Sequence, residues 1–130
     1  MIDVSISIVN YNGLEFLRDC LDSLFSNSSD LSIEIIVVDN ASIDGSLNMV
    51  KQKFPEVKLI ENDENRGFVA ANNQGLKAAG GRYILTLNND TKVLQGALEA
   101  LVKFMDTHLE AGICGPKVLK TDGAFQHQCK

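Results

Sequence analysis

Short apolar runs with strand periodicity alternate along this chain with longer runs of helical periodicity, and the strand-like runs end in Asn or Asp. Val4, Ile6 and Ile8 alternate with Ser5 and Ser7 ahead of Val9, the period-two pattern of a strand. Asn12-Gly13 breaks it. Leu14, Leu17, Leu21, Leu24 and Phe25 then recur at helical spacing, and the helix is expected to fade in Asn27-Ser28-Ser29. Residues 33–38 are rich in β-branched side chains, as in a central strand buried on both faces. Asp44 is placed to cap a helix carrying Leu47, Val50 and Phe54, which Pro55 terminates.

A third short strand is predicted at Val57-Lys58-Leu59-Ile60, then a polar loop through Gly67 and a helix over about 68–79 that stops at Gly80-Gly81. A fourth strand follows at 83–87. Leu98, Leu101, Val102, Met105 and Leu109 form an amphipathic stripe, marking a helix that covers one sheet face. Residues 113–119 read as a further strand interrupted by Gly115-Pro116. Strands alternating with helices predict βαβ units, hence an α/β fold of three layers around a mainly parallel sheet. No repeat, low-complexity tract or interdomain linker interrupts the chain. The stretches 6–10, 33–39, 57–62 and 83–90 close on Asn10, Asp39, Asn62 and the triplet Asn88-Asn89-Asp90. In a parallel sheet those endings share the carboxyl edge, where ligands of such folds bind.

Composition narrows the classes. The 130 residues amount to one domain, and 45% hydrophobic with 22% charged residues is ordinary for a globular protein. A net charge of −5 provides no general attraction to nucleic acid or to an anionic membrane, so an anionic ligand must be held locally. Three cysteines, Cys20, Cys114 and Cys129, without CxxC spacing argue against a disulfide framework or a structural zinc site and fit a reduced, cytoplasmic setting. No apolar run approaches the length of a membrane span, which leaves open peripheral attachment at the inner face of a membrane.

Four segments resemble, in order and spacing, family 2 glycosyltransferases of the GT-A fold, and most closely their rhamnosyltransferase-like branch. They are Ser7-Ile8-Val9-Asn10-Tyr11-Asn12; Val37-Val38-Asp39-Asn40-Ala41-Ser42 with Asp44-Gly45-Ser46; Glu61-Asn62 through Asn65-Arg66-Gly67-Phe68; and Leu87-Asn88-Asn89-Asp90. Gly115-Pro116-Lys117-Val118-Leu119 extends the likeness, which covers nearly the whole chain. It implies inverting transfer of a sugar from a UDP- or dTDP-sugar to a saccharide or lipid-linked saccharide acceptor, with Mg²⁺ or Mn²⁺, in cell-surface polysaccharide synthesis. The general base of that family lies in a later, acceptor-binding part, so this chain is expected to be a donor-binding portion, truncated on its carboxyl side and poor at turnover alone.

Each position has a chemical reading and a plainer one. Asp39 can accept from a nucleobase imide or a ribose hydroxyl, as the family position does, or can cap a nearby turn. Tyr11 can lay its ring on the base and Asn10 can bond to it; the alternative is a half-buried strand-to-helix turn. Asp90 keeps the last acid of the family's Asp-x-Asp and is the expected metal ligand, with Asn88 and Asn89 nearer the donor, because a hard cation bridging phosphates needs one or two carboxylates and retains waters. Arg66 resembles the family's basic residue at the diphosphate, against a surface pair with Glu61, Asp63 or Glu64. Asn72 and Asn73 carry no assignment, His108 and the pair Asp106 and Glu110 read as solvated, and His127 with Cys129 is too small a set for a metal site. Two other classes remain as rivals. A phosphoacceptor receiver, with Lys117 as its lysine, lacks the acidic pair expected after the first strand; a noncatalytic nucleotide-sugar-binding or assembly module shares the fold.

Overall fold

The computed structural model describes residues 1–27 and 30–126, so His127 and Cys129 lie outside the described residues. Four βα units follow one another: β1 (Val4–Asn10), α1 (Leu14–Ser26), β2 (Ile33–Asp39), α2 (Ser46–Lys53), β3 (Lys58–Glu61), α3 (Phe68–Ala78), β4 (Tyr83–Asn88) and α4 (Ala97–Thr107). All strand pairs are parallel, in the order β3-β2-β1-β4. This is the three-layer α/β fold expected from the periodicity. No helix among the described residues is long and apolar enough to cross a membrane.

Strand alternation divides the core between the two faces. Ile6, Ile8, Ile35 and Val37 point toward Leu17, Leu21 and Leu24 of α1, Val50 of α2 and Leu98 and Val102 of α4. Ile36 and Val38 point the other way, against Ala71 of α3. Ser5 and Ser7, the polar partners in the β1 alternation, are fully buried on this second face. Their small size lets α3 come close: a Cβ on Gly75 would lie 1.9 Å from Ser7 Oγ. Ser7 Oγ has no hydrogen-bond partner among the described residues.

Several details depart from the sequence expectations. Residues 113–119 form no strand; the segment holds only an isolated antiparallel bridge from Leu119 to Phe125, and Ile113 is exposed. The edge strands β3 and β4 each have an open side, but this run pairs with neither, and an apolar run without a ladder partner is not a strand. Helix α4 stops at Thr107, so Leu109 lies beyond it, exposed, and the stripe ends at Met105. Asp106 is not merely solvated. It accepts from Arg82 Nη1 at 2.7 Å, Arg82 Nη2 at 3.3 Å and Tyr83 Oη at 2.6 Å, which fastens the end of α4 to the start of β4. Asp44 serves two helices: Oδ2 accepts from Leu14 N at 2.9 Å and Oδ1 from Ser46 N at 3.0 Å, with Ser46 Oγ also donating to Oδ1. Partial burial pushes the Asp44 carboxyl up, but these donors outweigh it and hold the group below its usual range.

Candidate functional site

Parallel register gathers the strand ends. Asn10 lies level with Asp39, Asp39 level with Glu61, and Val9 level with Asn88. The loops after all four strands therefore leave from one rim, where a groove of about 350 Å³ opens between Tyr11 and Asn40 on one side and Asn88, Asn89 and Asp90 on the other. Val9 forms part of its lining, and Asn65 and Phe68, flanking the start of α3, complete it. A smaller cavity of about 230 Å³, beside Phe25, Glu34 and Lys58, lies toward the start of β2, away from these endings.

The predicted residues divide into a surface set and a buried set. Tyr11 exposes 54% of its surface and Phe68 61%, so two aromatic rings stand open at the groove. Asn10 and Asp39, at 0% and 1%, sit behind them. The Asp39 carboxylate accepts from Asn10 Nδ2 at 2.9 Å, Ser42 Oγ at 2.7 Å and Ser42 N at 2.8 Å. Ser42 also receives Asn12 N at 2.8 Å, and Asn12 Oδ1 accepts from Ile43 N at 2.8 Å. Asn12 takes φ 49° to make this turn, a left-handed conformation that Asn tolerates and that ends the strand pattern where Asn12-Gly13 breaks it.

At the end of β4 the triplet forms a tight turn. Thr91 N and Thr91 Oγ1 both donate to Asn88 O, at 3.3 Å and 2.8 Å, closing the chain over Asn89 and Asp90. Asn89 Nδ2 donates to Asn10 Oδ1 at 2.9 Å. The exposed Asp90 carboxylate has no hydrogen bond or ion pair among the described residues. Cys20 packs beneath this turn, fully buried, and burial pushes its thiol up to about 11, which makes it an unreactive core group.

Arg66 adopts the plainer arrangement. Its guanidinium pairs with Asp63 at 3.5 Å and does not line the groove, although its neighbour Asn65 does. Asn40 and Asn62, within the family-like segments but given no role there, and Gln74, not singled out at all, hold this loop. Asn40 Oδ1 accepts from Asn62 Nδ2 at 3.0 Å and Arg66 N at 3.4 Å, while Asn62 and Gln74 exchange two amide hydrogen bonds of 2.8 Å each. Gln74 lies one helical position beyond the Asn72-Asn73 pair; a polar side chain on the sheet-facing stripe of α3 was the available signal. Lys117, the lysine that a receiver requires, instead lies over the Phe125 ring at 5.6 Å.

Comparison with known proteins decides the family, since the model for Glycosyl transferase family 2 matches residues 5–127. The chain belongs to this family. Among its relatives, the putative teichuronic acid biosynthesis glycosyltransferase TuaG of Bacillus subtilis is 32% identical over 105 residues, covering 78% of this chain and 41% of that protein. A mannosyltransferase from Pyrobaculum calidifontis, solved in complex with GDP-Man and Mn²⁺, superposes with a TM-score of 0.70 at 27% identity over 78% of this chain and 32% of that one. Residues 1–349 of S. aureus TarS give 0.74 at 25% identity over 83% and 33%. The chain thus has the GT-A fold and spans less than half the length of these proteins.

The family implies a divalent cation. No cluster of three or more His, Cys, Asp or Glu exists among the described residues, so the protein offers one carboxylate, Asp90, beside the Asn88 and Asn89 amides. That set suits a hard cation that takes its remaining ligands from diphosphate oxygens and water, and does not suit a cation held by protein alone.

Proposed function

We propose that the groove binds the nucleotide-diphosphate sugar of an inverting glycosyltransferase of cell-surface polysaccharide synthesis. One observation carries the reading: an open aromatic ring, Tyr11, and an unengaged carboxylate, Asp90, face a single groove at the carboxyl rim. The base stacks on Tyr11 with Asp39 behind it, and the diphosphate lies toward Asp90 and the first turn of α3, whose free N–H groups favour anionic oxygens. A bound Mg²⁺ or Mn²⁺ would stabilise charge on the leaving diphosphate. Asp90 would hold it, with Asn88 and Asn89 oriented on its waters or on the donor. Arg66 reaches the diphosphate once its exposed pair with Asp63 is exchanged for phosphate, a small cost because such pairs are worth little.

In the transfer, the acceptor hydroxyl oxygen bonds to the anomeric carbon as the bond to the diphosphate oxygen breaks, and its proton passes to a general base. The reading assigns that base to no residue of this chain, which is therefore expected to bind donor and to transfer sugar poorly alone. The relative named for teichuronic acid biosynthesis supports a saccharide or lipid-linked saccharide acceptor. Free Cys20 and Cys114 accord with the proposed cytoplasmic setting, at or near the inner face of the membrane. The resemblance of the four motifs together to the rhamnosyltransferase-like branch makes a dTDP-sugar, beside a UDP-sugar, a candidate donor.

Calorimetric titration with UDP, dTDP and GDP, with and without Mn²⁺, tests this. Binding of at least one nucleotide, tightened by the metal, is expected, and a preference for dTDP would support the finer placement. Failure of all three to bind with Mn²⁺ present would overturn the reading.

A further inference from the structure

We propose that Asn89 is a positioning residue: its side-chain amide is the outer end of a directional hydrogen-bond chain that starts at the Asp39 carboxylate and fixes the turn carrying Asp90. The inference rests on the reading of the groove as the donor site. Direction comes from Asp39. A carboxylate only accepts, so the Asn10 amide must turn its NH₂ toward Asp39 Oδ1, at 2.9 Å, and its carbonyl outward. Asn10 is fully buried, so solvent is not available to offer it a different arrangement. The outward carbonyl then requires a donor, which Asn89 Nδ2 supplies at 2.9 Å.

Gly13 closes the chain from the side. A Cβ there would lie 2.4 Å from Asn89 Nδ2 and 2.9 Å from Asn10 Oδ1, so the loop after β1 holds the Asn89 amide in place through the absence of a side chain. With Thr91 tied to Asn88 O on its other side, the turn is held at two points and Asp90 projects between them. Nucleoside contacts at the end of β2 and cation contacts at the end of β4 are thereby joined in one network. An acid at position 89 would add charge for a cation but would face the Asn10 carbonyl with nothing to donate.

That opposition gives the test. The tightest-binding of UDP, dTDP and GDP is titrated, with and without Mn²⁺, into the wild-type chain and into Asn89→Ala, Asn89→Asp, Gly13→Ala and the Gly13→Ala/Asn89→Ala double variant, each checked by its melting curve. In Asn89→Ala the factor by which Mn²⁺ tightens nucleotide binding should fall about tenfold, more than metal-free affinity falls, as is typical when a group orienting a metal ligand is lost. Asn89→Asp should lose at least as much. Gly13→Ala should reproduce the loss, and the double variant should lose little beyond Asn89→Ala, because the methyl's closest contact, Asn89 Nδ2, is then gone and only the 2.9 Å approach to Asn10 Oδ1 remains. A larger Mn²⁺ factor in Asn89→Asp would make residue 89 a direct ligand and overturn the proposal, as would an unchanged factor in Asn89→Ala. A wild-type chain that binds no nucleotide would instead remove the reading beneath it.

Discussion

The two edges of the sheet are both polar, yet they are wired differently. At the amino edge the carboxylates are engaged by cations and donors within the fold. Glu34 takes Ser5 Oγ at 2.6 Å, Gly80 N at 3.0 Å and Lys58 Nζ at 3.1 Å; Asp106 takes Arg82 and Tyr83; Asp3 takes Ser32 N at 2.9 Å. The Ser5 hydroxyl, then the Gly80 N–H, then Lys58 hold the Glu34 carboxyl below its ordinary value. At the carboxyl rim neutral amides dominate, the buried carboxylate Asp39 is met by uncharged donors, and Asp90 is left unengaged beside exposed Tyr11 and Phe68. Hydrogen-bonding capacity satisfied inside the molecule secures the fold; capacity left unused at a concave surface is available to a ligand.

The contrast is sharpest if variants at the two edges affect different measurements. Asp90→Ala should have the largest effect: the metal-dependent part of nucleotide binding is lost, about a hundredfold or about 2.7 kcal/mol, with the melting temperature nearly unchanged. Calorimetry with and without Mn²⁺ reads the first and a thermal melt the second; a large drop in melting temperature would break the comparison. Gly81→Ala should do the reverse. A Cβ there would meet Ser5 N at 2.6 Å, and backbone cannot yield as a side-chain tip can, so urea unfolding should show about 1–3 kcal/mol of destabilisation with nucleotide affinity retained.

Tyr11→Ala comes next, with about a tenfold loss of nucleotide affinity whether or not Mn²⁺ is present, because the ring faces the base and not the cation. The smallest effect is at Glu34. Its folded pKa lies below the ordinary glutamate value, so its contribution is present above that ordinary value and fades as pH falls through the folded one. Glu34→Gln should therefore lower the melting temperature by about 3 °C near pH 7, with the gap to wild type closing as pH falls below the ordinary glutamate range. A gap that persisted at low pH would show that the charge is not what matters.

Most of the fold was legible because burial follows period. The alternation at Val4, Ile6 and Ile8 and the helical recurrence of Leu14, Leu17, Leu21 and Leu24 each correspond to an element at or near the expected limits. Where the pattern misled, the missing information was a neighbour. Ile113 and Leu119 are apolar enough for a strand, but no strand lies beside them; Asp106 is at a polar helix position, but Arg82 and Tyr83 are 24 and 23 residues away in sequence. The candidate site divides the same way. Tyr11, Asn88, Asn89 and Asp90 were legible at or beside strand ends, and Asn40, Asn62 and Phe68 fall inside the family-like segments, but the pairing of Asn62 with Gln74 and the place of Asn40 and Phe68 in the groove become visible only when the β3–α3 loop is seen folded over the rim.

Local order along the chain determined which segments become strands and helices, which residue types end the strands, and the four motifs that mark the family. It could not determine hydrogen-bond direction between distant side chains, or which carboxylate remains unengaged. Tertiary structure decided that Asp39 turns the Asn10 amide, that Asn10 in turn holds Asn89, and that Arg66 rests on Asp63. The physical reason is that periodicity reports burial one residue at a time, while the satisfaction of a polar atom depends on partners brought by other strands, and those partners are set only when the parallel register is in place.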